Sequence, residues 1–383
     1  MIRIIIPLAM LILLGMGAYW GTQSTSLETE EVIRSEKLDF RVETVVADLD
    51  IPWAMAFLPN GDMLFTERKG SLRLVQQGEL HPKPIGGVPK VRARGQGGLL
   101  DLELHPQYAE NGWIYLSYSS PIEGDEPGEG ANTALMRAKI KDHQLVEQEV
   151  IFKALPNYRQ SHHYGGRIIF DQEGYLYLSV GDRGGRDENQ TLTNYRGKIF
   201  RLNDDGSIPE DNPFVEEAGA VTAIWSWGHR NPQGLSLHPE TGEVWEHEHG
   251  PKGGDELNLI QKGRNYGWPT ITYGINYIGT KITDETHREG MEQPQTYWVP
   301  SIAPCGMDFV EDEQYGAWQG NILIGSLSFR YLERVELKGH EVVHQEKLLE
   351  GIGRVRAIEQ APDGYMYVAI EGPGKIVRLV PEK

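Results

Sequence analysis

An all-β fold, a six-bladed β-propeller of four-stranded antiparallel blades, is what three features of the sequence predict. First, a glycine turn that opens an apolar or alternating run recurs six times: Asn60-Gly61-Asp62, Asn111-Gly112-Trp113, Glu173-Gly174-Tyr175, Thr241-Gly242-Glu243, Gln319-Gly320-Asn321 and Asp363-Gly364-Tyr365. Glycine turns between period-two runs make antiparallel hairpins, and hairpins that recur every several tens of residues make blades, solenoids or arrays. Second, 45 glycines and 22 prolines supply tight turns throughout. Third, no segment sustains i, i+3, i+4 apolar spacing over three helical turns. An open β-solenoid would need a shorter, more regular repeat, whereas a propeller blade uses about 40 to 60 residues and leaves only short edges.

At the N-terminus, Arg3 precedes an apolar run from Ile4 through Leu14 and the small residues Gly15, Gly17 and Ala18. That pattern is an export signal and predicts a periplasmic or otherwise extracytoplasmic protein. No tidy cleavage triplet follows and Tyr19-Trp20 sit at a membrane-interface position, so an uncleaved anchor is the alternative for residues 1–20. Residues 21–38 are polar, acidic and aperiodic, and read as a tether. Residues 39–383 then form one propeller domain. The only cysteine, Cys305, forbids an internal disulfide and a lipid-modified N-terminal cysteine. A formal charge of -18 argues against nucleic acid and anionic membrane surfaces as partners, because both need a basic face.

Within the domain, Met55-Ala56-Phe57 runs into Met63-Leu64-Phe65 and on to Leu72-Arg73-Leu74-Val75. Ile168-Ile169-Phe170 precedes the third glycine turn in the same way, and Lys375-Ile376-Val377-Arg378-Leu379 follows the last. Four long insertions, residues 121–132, 183–196, 204–220 and 270–297, project from the ring, where loops build a pocket over the central channel. The stretch from Trp225 to Trp268 is dense in chemistry: His229-Arg230-Asn231-Pro232, then His247-Glu248-His249-Gly250-Pro251, Asp255-Glu256 and Asn265-Tyr266-Gly267-Trp268.

Gly95-Gln96-Gly97-Gly98, His163-Tyr164-Gly165-Gly166-Arg167, Gly181-Asp182-Arg183-Gly184, the stretch just quoted, Pro300-Ser301-Ile302-Ala303-Pro304 and Arg354-Val355-Arg356 follow one another in a specific order. From about residue 40 to the C-terminus the chain thereby resembles the soluble sugar dehydrogenases that use pyrroloquinoline quinone, in particular the aldose sugar dehydrogenase branch of the glucose/sorbosone dehydrogenase family. The resemblance implies oxidation of an aldose sugar at the anomeric carbon to a lactone, with pyrroloquinoline quinone and Ca2+ as cofactors. It also implies an external electron acceptor, a quinone or cytochrome, and a monomer or homodimer.

The residue types suit that chemistry. The cofactor is a planar tricarboxylate with an ortho-quinone, so its holder needs guanidinium and amide donors and a polarising cation. Arg230 with Asn231 is one donor pair. Arg354 with Arg356 is another, since residues two apart on a strand share a side; the plainer reading of Arg-x-Arg is a solvated strand face. The candidate metal ligands are oxygens in irregular backbone, with no thiol or His-x-x-x-His alongside, which suits calcium. By resemblance, the carbonyls of Gly250 and Pro251 take one calcium beside the cofactor, and Glu256 with the carbonyl of Tyr266 takes a second. An ordinary acidic turn is the alternative for Asp255-Glu256.

Two adjacent histidines, His162 and His163, suggest a base that is neutral near physiological pH. The resemblance implies that role for His163, with Asp182 orienting it, Gln96 on the sugar hydroxyls and Tyr277 stacked near the cofactor. Three departures accompany it. His162 stands where relatives have an aspartate, and His249 where some have glutamine. Ser328 replaces a lysine near the cofactor, and if this segment is a strand, Arg330 shares its face and restores the charge. Two other readings of the same fold are a calcium-dependent hydrolase or lactonase, which leaves the paired arginines unexplained, and a non-catalytic binding propeller, against which His163, Gln96 and Arg230 together speak.

Overall fold

The computed structural model describes residues 32–382, so the export signal or anchor and most of the tether lie outside the described residues. Six sheets surround a channel. Their innermost strands are Pro52–Phe57, Leu99–Leu104, Ile168–Phe170, Pro232–Leu237, Pro304–Phe309 and Arg354–Gln360, and each touches the next around the ring, the last returning to the first. We number the blades 1 to 6 in that order. Every blade is antiparallel and runs outward in chain order. Blade 6 is completed by the N-terminal strand Asp39–Val46 against Lys375–Pro381, so the two ends of the propeller are hydrogen-bonded into one sheet.

Each of the six glycine turns joins the innermost strand of a blade to its second strand. The glycines take φ of +85°, +72°, +88°, +70°, +76° and +83° at Gly61, Gly112, Gly174, Gly242, Gly320 and Gly364. That left-handed region is open to glycine at little cost, which is why the sequence repeats it. All six turns therefore lie on one face of the ring. The opposite face is where inner strands begin and second strands end.

The core is divided rather than single. Six apolar clusters each fill the wedge between adjacent blades, so a blade is apolar on both sides and its strands read as near-continuous apolar runs. The wedge between blades 3 and 4 is the exception in chemistry, because Glu246, Glu248 and Asn258 are buried in it beside a small cluster around Tyr177, Leu235 and Tyr266. One boundary differs from expectation. Ile33–Arg34, at the end of the segment read as a tether, pairs with Asp39–Val46 as a fifth strand of blade 6. Among the described residues, no helix is long and apolar enough to cross a membrane.

Candidate active site

The starts of inner strands and the ends of second strands bring the expected residues to one mouth of the channel. Gln96 and His163 lie just before the inner strands of blades 2 and 3, and Arg230 and Asn231 just before that of blade 4. Asp182 follows the second strand of blade 3, and Gly250 and Pro251 follow that of blade 4. Arg354 and Arg356 open the inner strand of blade 6. Three of the four insertions reach this face: residues 121–132 and 183–196, which follow second strands, and residues 270–297, through which Ile275 pairs with Lys252. The insertion 204–220 leaves from the glycine-turn face instead, after the end of Lys198–Leu202.

His163 is held on three sides. Its backbone N–H donates to Gln96 Oε1 at 2.7 Å, and Nδ1 lies 2.6 Å from Asp182 Oδ1. Its φ is +56°, a strained conformation for a residue with a Cβ, and Gly181 is required beneath it because a Cβ there would strike the His163 carbonyl. Burial, opposed by the bond to Asp182 and assisted by the nearby charge of Arg230, pushes the His163 pKa down to about 4. Burial alone would raise Asp182, but the bond from His163, the charge of Arg230 and the Gly184 N–H hold it at about 2. The pair is thus a neutral imidazole donating Nδ1–H to a carboxylate, with Nε2 left as the basic atom. His162 packs edge-on against it, ring centroids 4.5 Å apart.

Sequence reasoning missed Trp268 in this arrangement. Its indole N–H donates to Asp182 Oδ2 at 2.8 Å, while its own carbonyl accepts from Asn189 and Gln190 at 2.9 and 2.7 Å. Both carboxylate oxygens of Asp182 are therefore engaged.

A cavity of about 410 Å³ opens at this mouth, lined among others by Gln96, His249, Tyr277, Ser328, Arg354, Arg356 and Arg68. Glu371, which no motif singled out, bridges the two arginines: Arg356 donates to its Oε2, and Arg354 Nε lies 3.5 Å from Oε1. A tricarboxylate fits this setting, since the guanidiniums of Arg68, Arg354 and Arg356 line it with Glu371 as their one acidic partner there. Arg230 and Asn231 lie outside this lining, and their Nε and Nδ2 are buried donors with no acceptor among the described residues. His249 is neutral, pushed well down by burial, with Nε2 against the Pro304 carbonyl at 2.7 Å. Beneath the cavity, Arg167 forms a floor across the channel. It reaches Asp101 at 3.1 Å, the carbonyls of Gln233 and Arg356 at 2.8 Å each, and the face of Trp53.

Ser328 lines the cavity but Arg330 does not, which corrects the expected compensation. The segment is no strand: it is an exposed turn after Ile322–Ser326, and Arg330 takes φ +62° within it. The two-residue spacing consequently does not put Arg330 on the face of Ser328.

The Gly250-Pro251 turn is tightly built. Arg230 Nη1 donates to the carbonyls of His249 and Gly250 at 2.8 Å each, and Asp255 accepts from Gly250 N–H at 2.8 Å. Burial lifts Asp255 to about 6, against donors from Ser301, Ala303 and Gly250. Behind the turn, in the wedge between blades 3 and 4, ligand atoms of His229, Glu246 and Glu248 lie within 4.8 Å of one another. Glu256 pairs across the sheet with Glu248, and the Tyr266 ring stacks on His229 at 4.6 Å. Burial, and then the charge of Glu248, raises both Glu246 and Glu256 well above the usual carboxylate range. Glu246 Oε1 and Asn258 Oδ1 are buried without hydrogen-bond partners among the described residues, and His229 Nδ1 has Glu248 Oε1 3.5 Å away. A divalent cation fits a wedge of three carboxylates and orphaned acceptors. Glu246 and Glu248 were not foreseen, and neither was the imidazole of His229, which the expectation of an all-oxygen set had omitted.

A propeller with this mouth defines a class, and comparison with known proteins identifies it. The family model for glucose/sorbosone dehydrogenase matches residues 49–378, and the chain belongs to that family. It is 41% identical over 345 residues to aldose sugar dehydrogenase YliI of Escherichia coli, covering 89% of this chain and 92% of that one. The crystal structure of the soluble aldose sugar dehydrogenase from Escherichia coli in its apo-form superposes with a TM-score of 0.84 at 39% identity, covering 90% of this chain and 100% of that one. The pyrroloquinoline quinone-bound aldose sugar dehydrogenase of Streptomyces coelicolor superposes with a TM-score of 0.73 at 27% identity, covering 93% and 100%.

Proposed function

We propose that this protein oxidises aldose sugars at the anomeric carbon to lactones outside the cytoplasm, using pyrroloquinoline quinone and calcium and passing electrons to an external quinone or cytochrome. The observation that carries the reading is the His163–Asp182 pair at the same channel mouth as a cavity lined by Arg68, Arg354 and Arg356. When bound, the cofactor supplies the ortho-quinone that accepts hydride. The residues of this chain do the rest. Gln96 and His163 orient the sugar, and His163 Nε2 takes the proton of the anomeric hydroxyl. Asp182 stabilises the imidazolium that results. Arg354, Arg356 and Arg68 would hold the cofactor carboxylates, and Arg230 and Asn231 would supply further donors to it. The carbonyls of Gly250 and Pro251 would hold one calcium, and the blade 3–4 wedge a second.

Adding the cofactor with calcium to the purified protein should produce its absorbance band, and glucose or another aldose should bleach it. A protein that takes up no cofactor under these conditions is not this enzyme. The hydrolase alternative would require a metal open to the channel, and the carboxylate wedge is enclosed between blades instead.

Two further outcomes test the details. Trp268→Phe keeps the ring and loses the N–H to Asp182. A hydrogen bond to a charged group contributes about 1.5 to 3 kcal/mol, so kcat should fall roughly 10-fold or more with little change in KM. An unchanged kcat would mean that Asp182 needs no second donor. In the cofactor pocket, Arg330→Ala should leave cofactor affinity within about twofold, whereas Ser328→Lys adds an ammonium to the cavity lining and should tighten it by roughly 10-fold. Equilibrium titration followed by absorbance distinguishes these, and the reverse pattern would restore Arg330 to the site.

A further inference from the structure

On the outer rim where blade 1 meets blade 2, two histidines converge on one backbone oxygen. His81 follows the short outer strand Glu79–Leu80 of blade 1, and His143 sits in the hairpin between Ala131–Lys141 and Gln144–Lys153 of blade 2. His81 Nδ1 and His143 Nε2 each lie 2.9 Å from the carbonyl oxygen of Lys83. The ring centroids are 4.0 Å apart and the planes are tilted by 38°. Both residues are half-exposed, so a solvent ion reaches them without opening the fold.

We infer that His81, His143 and the Lys83 carbonyl form a binding site for a borderline divalent transition cation of the zinc class. Imidazole nitrogen bonds zinc at about 2.0 to 2.1 Å, and at such a distance each nitrogen, 2.9 Å from the carbonyl oxygen, would subtend with that oxygen roughly 90° at the ion. Octahedral and tetragonal shells use that angle directly, and a tetrahedral one reaches it after shifts of a few tenths of an ångström. Water completes the coordination. Imidazoles suit zinc, copper and nickel rather than calcium, which separates this site by chemistry from the carboxylate wedge between blades 3 and 4.

The backbone supplies an independent reason. Asp142 and His143 have φ of +49° and +60°, so the hairpin closes through two consecutive left-handed residues. Such turns favour aspartate or asparagine and then glycine. The chain carries an imidazole at the position where glycine would relieve the turn, and strain of this kind gathers at binding sites. The two segments are also held in register: Gly86 N–H donates to the His143 carbonyl at 3.1 Å and Leu145 N–H to the Gly86 carbonyl at 2.8 Å. An ion here would link two blades at their outer edge.

The test uses tag-free, calcium-loaded protein titrated with Zn2+ by calorimetry, with thermal unfolding in parallel. Wild type should bind one zinc at this site and unfold at a higher temperature with it. His143→Gly gives the turn its preferred residue, so it should fold at least as stably without metal, yet bind zinc at least about 10-fold more weakly and lose the thermal shift. His81→Gln should behave likewise. Bound Cu2+ should show nitrogen hyperfine coupling from two imidazoles in wild type and fewer in either variant. Zinc uptake of wild-type affinity in both variants, or none in wild type, overturns the assignment.

Discussion

His163→Ala lowers kcat by about 10²- to 10⁴-fold, the contribution of a well-placed general base, while cofactor uptake and its absorbance band survive. The expectation rests on the proposed sugar oxidation and on three features of the site. Nδ1 is committed to Asp182, so the lone pair of Nε2 is the basic one. The strained backbone and the Gln96 contact hold the ring in place. Burial keeps the imidazole neutral down to a pKa of about 4. The last feature has a sign that a pH profile reads. A base with this depressed pKa is protonated, and lost, only as pH falls through about 4, so kcat/KM should hold between pH 7 and 5 rather than drop near 6.5, the value of a free histidine. An alanine variant with normal turnover sinks the assignment; an acid limb near 6.5 in the wild type contradicts the buried, neutral ring.

Exhaustive chelation should abolish the proposed sugar oxidation and destabilise the fold, and calcium should restore both. The two proposed sites would contribute differently. At the cavity, the Gly250-Pro251 turn offers carbonyl oxygens already ordered by Asp255 and Arg230. In the wedge between blades 3 and 4, Glu246, Glu248 and Glu256 lie together, and among the described residues no lysine or arginine side chain is paired to them. Unbalanced buried carboxylates cost several kcal/mol, which a cation offsets. Glu246→Gln separates the sites: it should weaken the calcium-dependent rise in unfolding temperature, yet leave the cation-free protein at least as stable as wild type because one repelling charge is gone. Full activity after chelation, with metal absence verified by elemental analysis, would remove calcium from the mechanism. Equal calcium stabilisation in Glu246→Gln would remove it from the wedge.

Much of the architecture was legible because glycine is demanded where φ is positive. Gly61, Gly112, Gly174, Gly242, Gly320 and Gly364 occupy equivalent turns, and equivalent turns imply equivalent blades. His163, Asp182 and Gln96 were legible through ordered motifs, and the structure brings both Asp182 and Gln96 within hydrogen-bonding distance of His163. The missed residues share a cause. Trp268 reaches Asp182 from 86 positions away, through a loop whose path no local pattern encodes. Glu371 ends a second strand and meets Arg354 and Arg356 only because that strand pairs with the inner strand of blade 6. Glu246 and Glu248 alternate like the wet face of a strand, but in a propeller both faces are covered, and theirs turns toward blade 3. Arg330 was misread because strand periodicity was carried past Ser326 into a turn.

The floor made by Arg167 has a consequence for the order of events. Its guanidinium ties Asp101 to the carbonyls of Gln233 and Arg356 and lies over Trp53, so the channel is a well with one opening, not a tunnel. Under the proposed reaction, sugar and electron acceptor would therefore use the same doorway. A bound sugar would keep the acceptor out until the lactone had left. The two half-reactions would then be separated in time, the order of a ping-pong sequence.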